Sequence, residues 1–324
     1  MEKLEYLVEL KKTYSNFEKK NICFLDIETT GLSRKYDYIY LIGLLYFNKE
    51  KKSWAIKQFF AENIYKEKEI LEAFADFIDG FHLIVTYNGD SFDLPFIKCR
   101  LSKYGIDDAA IDINTFDIYR EIKKNSSYIN LENLRLKTIE EYLGIHRDDK
   151  YSGKDCIKFY NQYMNTKDAL LRERILKHNY DDLFYLWDIL KIFDIIEDSK
   201  TLYIDLWEKI RIEITNICID KNIFSISCDI FTNKNDINVV YFHEAFNLHW
   251  QGDKLIINLE VKEGLITPTK KCVFFEKTSY PPCSGLKDLS QYMVPDDIIL
   301  LKVEDKYIME NIKNLIKSIL TNTR

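Results

Sequence analysis

Residues 22–31, with the sequence ICFLDIETTG, constrain the fold of this chain most strongly. The apolar residues run continuously up to Asp26, which is typical of a buried central strand. Because side chains alternate across a strand, we expect Asp26 and Glu28 on the same face. Two carboxylates on a buried strand repel each other and are costly to desolvate, and a bound cation removes that penalty. The alternative, an exposed edge strand with two solvated acids, is disfavoured by the apolar residues on both faces.

A second group of polar residues follows another short apolar strand, at residues 87–95. Asn88 and Gly89 suit a tight turn, and Pro95 suits the first turn of a helix. Asp93 is therefore expected at a helix N-terminus beside the C-terminal end of a strand, where α/β sheets place their ligands. A helix-capping role is the alternative for Asp93.

The third group lies on a helix that we predict over residues 167–193. His178 and Asp182 are four residues apart and are therefore neighbours on one helix face. The apolar stripe of this helix directs Asp182 towards the core and Asp181 towards water. A carboxylate that faces the core needs a partner. For His178, the alternative is a histidine that only packs and hydrogen-bonds within the helix layer.

Four carboxylates are thus expected to face one place: Asp26, Glu28, Asp93 and Asp182. Hard oxygen ligands of this kind hold Mg²⁺ or Mn²⁺. Two such ions can assist phosphodiester hydrolysis by clamping the attacking and leaving oxygens. His178, beside these acids, is the candidate for orienting the attacking water and taking its proton.

The three motifs, in this order and at these distances, resemble the exonuclease motifs of the DEDD, or DnaQ-like, 3′–5′ exonuclease superfamily. They are Asp26-Ile-Glu28-Thr-Thr-Gly, Asn88-x-x-x-Phe92-Asp93 and His178-x-x-x-Asp182. The stretch LKTIEEYLGIHRDD at residues 136–149 is more specifically similar to the YprB-like ribonuclease H-like branch of bacteria. The resemblance covers about residues 20–196. It implies an RNase H-like fold, two Mg²⁺ or Mn²⁺ ions, and hydrolysis from the 3′ end of single-stranded DNA or RNA.

One motif departs from the superfamily pattern. The third motif usually has Tyr in the spacing Y-x-x-x-D, or His with one residue more, whereas this chain has His178 in the shorter spacing. At the longer spacing the acid position would be Leu183, so Asp182 is the predicted acid and the base role of His178 stays open. Candidates for substrate contact are Thr29, Asn88 and Phe92. Phe92 can either wedge against a base or pack in the core.

The length of 324 residues favours two domains. We expect an N-terminal helix at residues 1–19 and an α/β domain at 20–196, with an RNase H-like mixed sheet flanked by helices. A smaller α+β domain of open role is expected at 197–324, beginning with a helix at 202–219. Asp117, at the end of a predicted strand, is either an accessory acid or a plain strand-end residue.

The net charge of −6 gives no global signal for nucleic acid, so any such binding surface must be local. The seven cysteines include no C-x-x-C pair, which favours reduced thiols in a cytoplasm over a disulfide framework. No apolar run is long enough to span a bilayer and no signal peptide is recognised, so we expect a cytoplasmic protein without a membrane partner. Protein partners stay open.

The predicted function is a metal-dependent 3′–5′ exonuclease that hydrolyses phosphodiester bonds at single-stranded nucleic acid ends. The first alternative is a structure-selective RNase H-like endonuclease, which would cut a circular substrate. The second is a catalytically idle nucleic-acid-binding module that keeps the fold. The choice between DNA and RNA is open, because the side chains that read the 2′-hydroxyl cannot be identified from the sequence.

Overall fold

The computed structural model describes residues 1–10, 21–148, 150–234, 236–280 and 283–322. Contacts divide the chain into two compact units. The first unit comprises Met1–Lys124 and Leu131–Ile192, and the second comprises Asn125–Asn130 and Phe193–Arg324. The predicted boundary between residues 196 and 197 falls just after the junction at Ile192. Whether residues 197–324 fold independently stays a prediction.

A mixed six-stranded sheet organises the first unit. Its strands are β1 (Glu2–Val8), β2 (Ile22–Thr29), β3 (Ile39–Asn48), β4 (Ser53–Phe60), β5 (Leu83–Thr86) and β6 (Asn114–Asp117). Their order is β1-β4-β3-β2-β5-β6. β2 pairs antiparallel with β3 and parallel with β5, and β5 pairs parallel with β6. The predicted mixed sheet is thereby confirmed.

Helices accompany the sheet in the first unit. They are α1 (Glu67–Ile78), α2 (Asp93–Tyr104), α3 (Ile118–Lys124), α4 (Leu136–Tyr142), α5 (Gly153–Thr166) and α6 (Ala169–Ile189). Local chemistry sets where the last two begin. Ser152 and Asp155 form a capping box at α5. The Asp168 carboxylate accepts a hydrogen bond from the backbone N–H of Leu170 at the start of α6.

β2 is central and buried, as its apolar sequence predicts. Leu25 and Ile27 point into a core that also contains residues of α1 and α2. Phe24 points to the opposite face, where its ring centroid lies 5.7 Å from that of Trp187 on α6. Asp26 and Glu28 share this second face with Phe24, because side chains alternate. α6 therefore covers the face of β2 that carries the two acids.

The predicted N-terminal helix is wrong in the part that the structure describes. Residues Glu2–Val8 form β1, which pairs antiparallel with β4 from Glu2↔Phe60 to Val8↔Trp54. Along β1, Leu7 is 56% exposed and Val8 is buried. The hydrogen-bonding edge of β4, a partner distant in sequence, decides the conformation of this segment. Residues 11–19 of the predicted helix lie outside the described residues.

The second unit contains antiparallel sheets and a C-terminal helix, which confirms the predicted α+β character. One sheet has the order β10-β11-β12-β9-β8-β7 and the other β13-β14-β15-β16. The elements are α7 (Lys191–Lys200, beginning at the junction), β7 (Thr201–Asp205), β8 (Lys209–Asp220), β9 (Ile223–Phe231), β10 (Asn238–Phe242), β11 (Phe246–Gln251), β12 (Lys254–Glu260), β13 (Lys262–Leu265), β14 (Lys271–Glu276), β15 (Ile298–Val303), β16 (Lys306–Tyr307) and α8 (Met309–Asn322).

The helix predicted at residues 202–219 is wrong, because this stretch forms β7 and β8. Ile210, Ile212 and Ile214 are buried while the residues between them are more exposed, which is the two-residue period of a strand. β10 and β11 form an antiparallel hairpin, with Asn238 opposite Gln251. In the described part of the chain, no helix is both long enough and apolar enough to cross a membrane.

Candidate metal centre

Three carboxylates from two elements meet on the covered face of β2. Asp26 and Glu28 come from the strand and Asp182 from α6, and each offers an oxygen within 4.8 Å of the others. Glu28 is 7% exposed and the Asp182 side chain 18% exposed. We call Asp26, Glu28 and Asp182 the acid trio. Its oxygen donors are the type that Mg²⁺ and Mn²⁺ prefer, so the trio can hold a metal ion.

The electrostatics of the trio favour a cation. Burial raises the pKa of Asp26 well above its usual range, and the nearby charges of Asp182, Asp93 and Glu28 raise it further. A hydrogen bond from the Asn179 amide, at 2.7 Å from Asp26 Oδ2, acts in the opposite direction. The phenol of Tyr40 donates to Glu28 Oε2 at 3.3 Å. The raised pKa of Asp26 means that the folded protein disfavours the charged form of this carboxylate, and a bound cation would reverse this preference.

Asp93 lies next to β2 but outside the trio. It is the first residue of α2, the preceding Phe92 holds the N-cap position, and the carboxylate accepts a hydrogen bond from the backbone N–H of Ile27 at 3.1 Å. The Asp93 side chain therefore links the helix to the acid-bearing strand, which disfavours a purely local capping role. Burial raises its pKa to about 7, and the charge of Asp117 adds to this shift.

His178 faces the trio. Its Nε2 atom lies 3.7 Å from Glu28 Oε1 and 3.7 Å from Asp182 Oδ2, and the residue is 8% exposed. Cys156 of α5, which the sequence analysis did not identify, offers its sulfur within 4.8 Å of donor atoms of Glu28 and His178. His178 thus lies beside two of the three carboxylates that can hold a metal ion.

The predicted orientations of Asp181 and Asp182 need a correction. Asp181 was expected in water but is only 5% exposed, and its carboxylate pairs with Lys177 Nζ at 2.6 Å. Asp182, expected in the core, is partly exposed and belongs to the trio. The lysine one turn earlier covers Asp181, so burial alone does not separate the two acids. The two acids differ in their neighbours, because Asp181 pairs with Lys177 whereas Asp182 lies beside Asp26 and Glu28.

Arg147 is a further residue that the sequence analysis did not single out, although it lies in the stretch similar to the YprB-like branch. Its guanidinium pairs with Asp182 of the trio. It also pairs with the buried Glu140 of α4, with Nη2 at 2.8 Å from Oε1. Arg147 therefore places a positive charge directly against one member of the trio.

The three candidates for substrate contact have structural partners. Thr29 is buried, and its hydroxyl donates to the carbonyl of Gly31 at 2.7 Å. Asn88 has a φ of 66° in the turn after β5. The Phe92 ring lies 5.6 Å from that of Phe96 and packs against the core, which favours the packing interpretation over a wedge against a base.

Asp117 supports the turn that leads to Asp93. Its carboxylate accepts hydrogen bonds from the backbone N–H of Asn88 at 2.9 Å and of Asp90 at 3.1 Å. Residue 89, which lies between them, needs to be glycine, because a Cβ at this position would lie only 2.4 Å from the Thr86 side chain. Asp117 is 3% exposed, and its contacts identify it as a residue that shapes this turn.

Comparisons with known proteins agree with the fold. A family model described as RNase_H superfamily matches residues 23–193, more than half of the chain. The uncharacterized protein YprB of Bacillus subtilis (strain 168) is 26% identical over 182 residues, which cover 52% of this chain and 41% of YprB. A DNA polymerase of Methanocaldococcus jannaschii is 41% identical over 46 residues, which are 14% of this chain and 3% of the polymerase. The matches thus cover less than half of either relative.

Two solved structures, a DNA polymerase and an exonuclease, match this chain at lower sequence identity than YprB does. The family B DNA polymerase of Pyrobaculum calidifontis is 16% identical with a TM-score of 0.44, covering 56% of this chain and 25% of the polymerase. E. coli exonuclease I, solved in complex with a dT13 oligonucleotide, is 13% identical with a TM-score of 0.33. That match covers 65% of this chain and 55% of the exonuclease chain.

Proposed function

The chain belongs to the RNase H superfamily, and from this premise we propose that it is a metal-dependent 3′–5′ exonuclease acting on single-stranded nucleic acid ends. The observation that carries the proposal is the acid trio, whose three carboxylates offer oxygens within 4.8 Å of one another. Buried acids that face each other are costly unless a cation joins them. The 3′–5′ polarity rests on the resemblance of the three motifs to DnaQ-like exonucleases.

The residues of the site divide into metal ligands and a proton acceptor. Asp26, Glu28 and Asp182 would hold Mg²⁺ or Mn²⁺, and Asp93 completes the acid set that we propose for two ions. Bound metal supplies positive charge to the phosphodiester and lowers the pKa of an attacking water. His178 would orient that water and take its proton, since its Nε2 faces two of the ligands.

A cleft beside the trio supports nucleic acid as the substrate class. Its volume is about 350 Å³, and its lining includes the basic residues Lys137, Arg147 and Lys150, the aromatic residue Tyr151, and the acids Glu140 and Glu141, of which Glu140 is paired with Arg147. The Tyr151 ring is held against Phe159, with centroids 4.9 Å apart, and Arg174 lies 5.4 Å from it. Proteins that bind single strands combine cationic side chains with aromatic rings in this way. Arg147 connects the cleft to the metal ligands through Asp182.

The proposal is tested with 5′-labelled oligonucleotides and Mn²⁺. The substrates are single-stranded DNA, single-stranded RNA, a strand with a blocked 3′ end, and a circle. We expect products that shorten from the 3′ end, protection by the block, and no cutting of the circle. Cutting of the circle would instead show an endonuclease, and binding without hydrolysis in both Mg²⁺ and Mn²⁺ would show an idle binding module. The DNA-to-RNA rate ratio identifies the preferred substrate.

We also propose that residues 197–324 form an accessory domain that helps to hold long substrates. A protein truncated near Glu197 should keep the metal chemistry on short strands and bind long strands more weakly. Unfolding of the truncated protein, seen by circular dichroism, would contradict an independent first domain. All seven cysteines are free thiols, which fits the cytoplasmic location that we propose.

A further inference from the structure

Three residues form a row across the centre of the mixed sheet, and the middle one has no side chain. Asp26 on β2 lies opposite Gly43 on β3, and Gly43 lies opposite Gln58 on β4. Asn179 of α6 lies directly over Gly43. A Cβ at residue 43 would lie 2.2 Å from Asn179 Oδ1 and 2.6 Å from Leu183 Cδ1. The glycine therefore lets Asn179 fill the gap between Asp26 and Gln58.

Hydrogen bonds connect this row in one direction. Gln58 Nε2 donates to the carbonyl of Leu176 at 2.8 Å and to Asn179 Oδ1 at 2.8 Å. Asn179 Nδ2 then donates to Asp26 Oδ2 at 2.7 Å and approaches the Asp26 carbonyl at 3.4 Å. Gln58 and Asn179 are both fully buried. We call Gln58 and Asn179 the amide relay.

A backbone carbonyl fixes the orientation of both amides. The Leu176 carbonyl only accepts, so the Gln58 side chain must direct its nitrogen to it. The second hydrogen of that nitrogen then requires the oxygen of Asn179. As a result, the nitrogen of Asn179 faces Asp26, where a carboxylate oxygen accepts. A reversed Asn179 amide would place oxygen against carboxylate and nitrogen against nitrogen, which is repulsive at both ends.

We propose that Asn179 is a positioning residue for the metal site and that the amide relay sets the direction of the Asp26 carboxylate. Because the relay holds Oδ2, the other oxygen of Asp26, Oδ1, would be the one available to hold a cation. Partners that orient a metal ligand in this way typically account for roughly 10- to 100-fold in metal affinity. The inference rests on the proposed function only in taking Asp26 as a metal ligand.

The test measures Mn²⁺ affinity by isothermal titration calorimetry on the full-length protein. Asn179→Leu keeps a side chain of similar size but removes the donor, and we expect a loss of roughly 10- to 100-fold in affinity. Gly43→Ala keeps the donor but displaces it, so its effect should have the same direction. Gly80→Ala is the matched control, because a Cβ at residue 80 meets nothing within 4 Å. Gln58→Leu frees the Asn179 amide to turn over and should cause a smaller loss.

Two further readouts separate positioning from a merely structural role. The Mn²⁺ concentration for half-maximal rate should rise in Asn179→Leu, whereas the rate at saturating Mn²⁺ should largely recover. Unfolding in EDTA reports the structural cost of each variant, and Gln58→Leu serves if Gly43→Ala does not fold. Unchanged Mn²⁺ affinity in Asn179→Leu would overturn the inference even if that variant were less stable. Mn²⁺ binding that depends on Asn179 in a protein without nuclease activity would support the relay and contradict the proposed function.

Discussion

Two acidic sites in the first unit, Glu67 and the acid trio, differ in how their charge is balanced. Glu67 lies against Arg100, both side chains are fully buried, and Arg100 Nε donates to Glu67 Oε1 at 2.8 Å. The backbone N–H of Ile39 and the hydroxyl of Tyr104 also donate to Glu67, each at 2.8 Å. The acid trio instead brings three carboxylates to within 4.8 Å of one another. One guanidinium matches the charge of Glu67, whereas the three carboxylates of the trio face the single guanidinium of Arg147, which pairs with Asp182 and also with Glu140. The trio therefore favours a further cation.

The difference shows how a structural acid can be distinguished from a ligand. A guanidinium matches the charge of Glu67 and takes part in its hydrogen bonds, so removal of either partner leaves an unbalanced charge. Within the trio, removal of one carboxylate relieves repulsion in the absence of metal. Removal of a charge at Glu67 or Arg100 should therefore destabilise the protein, whereas removal of the charge of Asp26 or Glu28 should stabilise the metal-free protein. Asp182 differs from these two acids because it also pairs with Arg147.

The largest expected effect is on catalysis. Asp182→Asn removes a proposed ligand and should reduce the hydrolysis rate by roughly 10³-fold or more, since metal assistance contributes several kcal/mol to the transition state. Asp181→Asn is the matched control, because Asp181 pairs with Lys177 and lies outside the trio. Its rate should remain near that of the wild type. Initial rates on a 5′-labelled single strand in Mn²⁺ measure both, and the reverse pattern would exchange the two assignments.

The second effect is on stability. Arg100→Leu leaves Glu67 buried without its cation and should lower the free energy of unfolding by about 3–5 kcal/mol. Lys68→Met, which removes an exposed pair with Glu72, should change it by less than about 1 kcal/mol. Urea unfolding with and without Mn²⁺ measures both. If Arg100→Leu instead left the free energy of unfolding unchanged and altered the stabilisation by Mn²⁺, the distinction between structural acids and metal ligands would fail.

The third effect is the pH dependence of the metal-free protein. The pKa of Asp93 is raised from 3.8 to about 7 in the folded state, so folding binds a proton between these values. The contribution of Asp93 to the free energy of unfolding in EDTA should therefore be largest below about pH 4. It should fall by at most about 4 kcal/mol as the pH rises to about 7. Asp93→Asn should flatten this fall and raise the neutral-pH melting temperature. An equally steep fall in Asp93→Asn, measured by calorimetry, would show that other groups cause it.

The smallest effect concerns His178. His178→Ala should slow hydrolysis by roughly 10²-fold, because a positioned base contributes about that much. His178→Tyr should keep appreciable activity, since Tyr has this spacing in the motif that the chain resembles. An Ala variant with an unchanged rate and pH profile would reduce His178 to a packing residue.

The sequence predicted the features that depend on local pattern. The apolar run of β2 placed Asp26 and Glu28 on one face, and the turn before α2 placed Asp93 at its first residue. The two errors in secondary structure had different causes. β1 is decided by pairing with β4, which no local pattern reveals. For β8, the alternation of Ile210, Ile212 and Ile214 does indicate a strand, and the prediction of a helix from this stretch was an error of interpretation.

Contacts between distant segments could not be predicted. The helical phase of α6 does not show that Arg147, which lies on another segment, pairs with Asp182. The pair of Lys177 and Asp181 is different, because residues four apart on a helix are neighbours and the sequence did indicate it. The amide relay depends on the register of three strands, which aligns Asp26, Gly43 and Gln58 under Asn179. Nothing in the local sequence around Gly43 indicates that its missing side chain serves a carboxylate on the neighbouring strand.

The most direct test of the central claim is the stabilisation of the protein by Mn²⁺. Thermal unfolding at neutral pH is followed while Mn²⁺ is added to the wild type, to Asp26→Asn and Glu28→Gln, and to Lys68→Met as control. A ligand at 100 times its dissociation constant stabilises the folded state by about 2.7 kcal/mol. We expect this rise in the wild type and in Lys68→Met, and its loss in both trio variants, which should be the more stable proteins in EDTA. An equal rise in all four proteins would place the cation elsewhere and contradict the account.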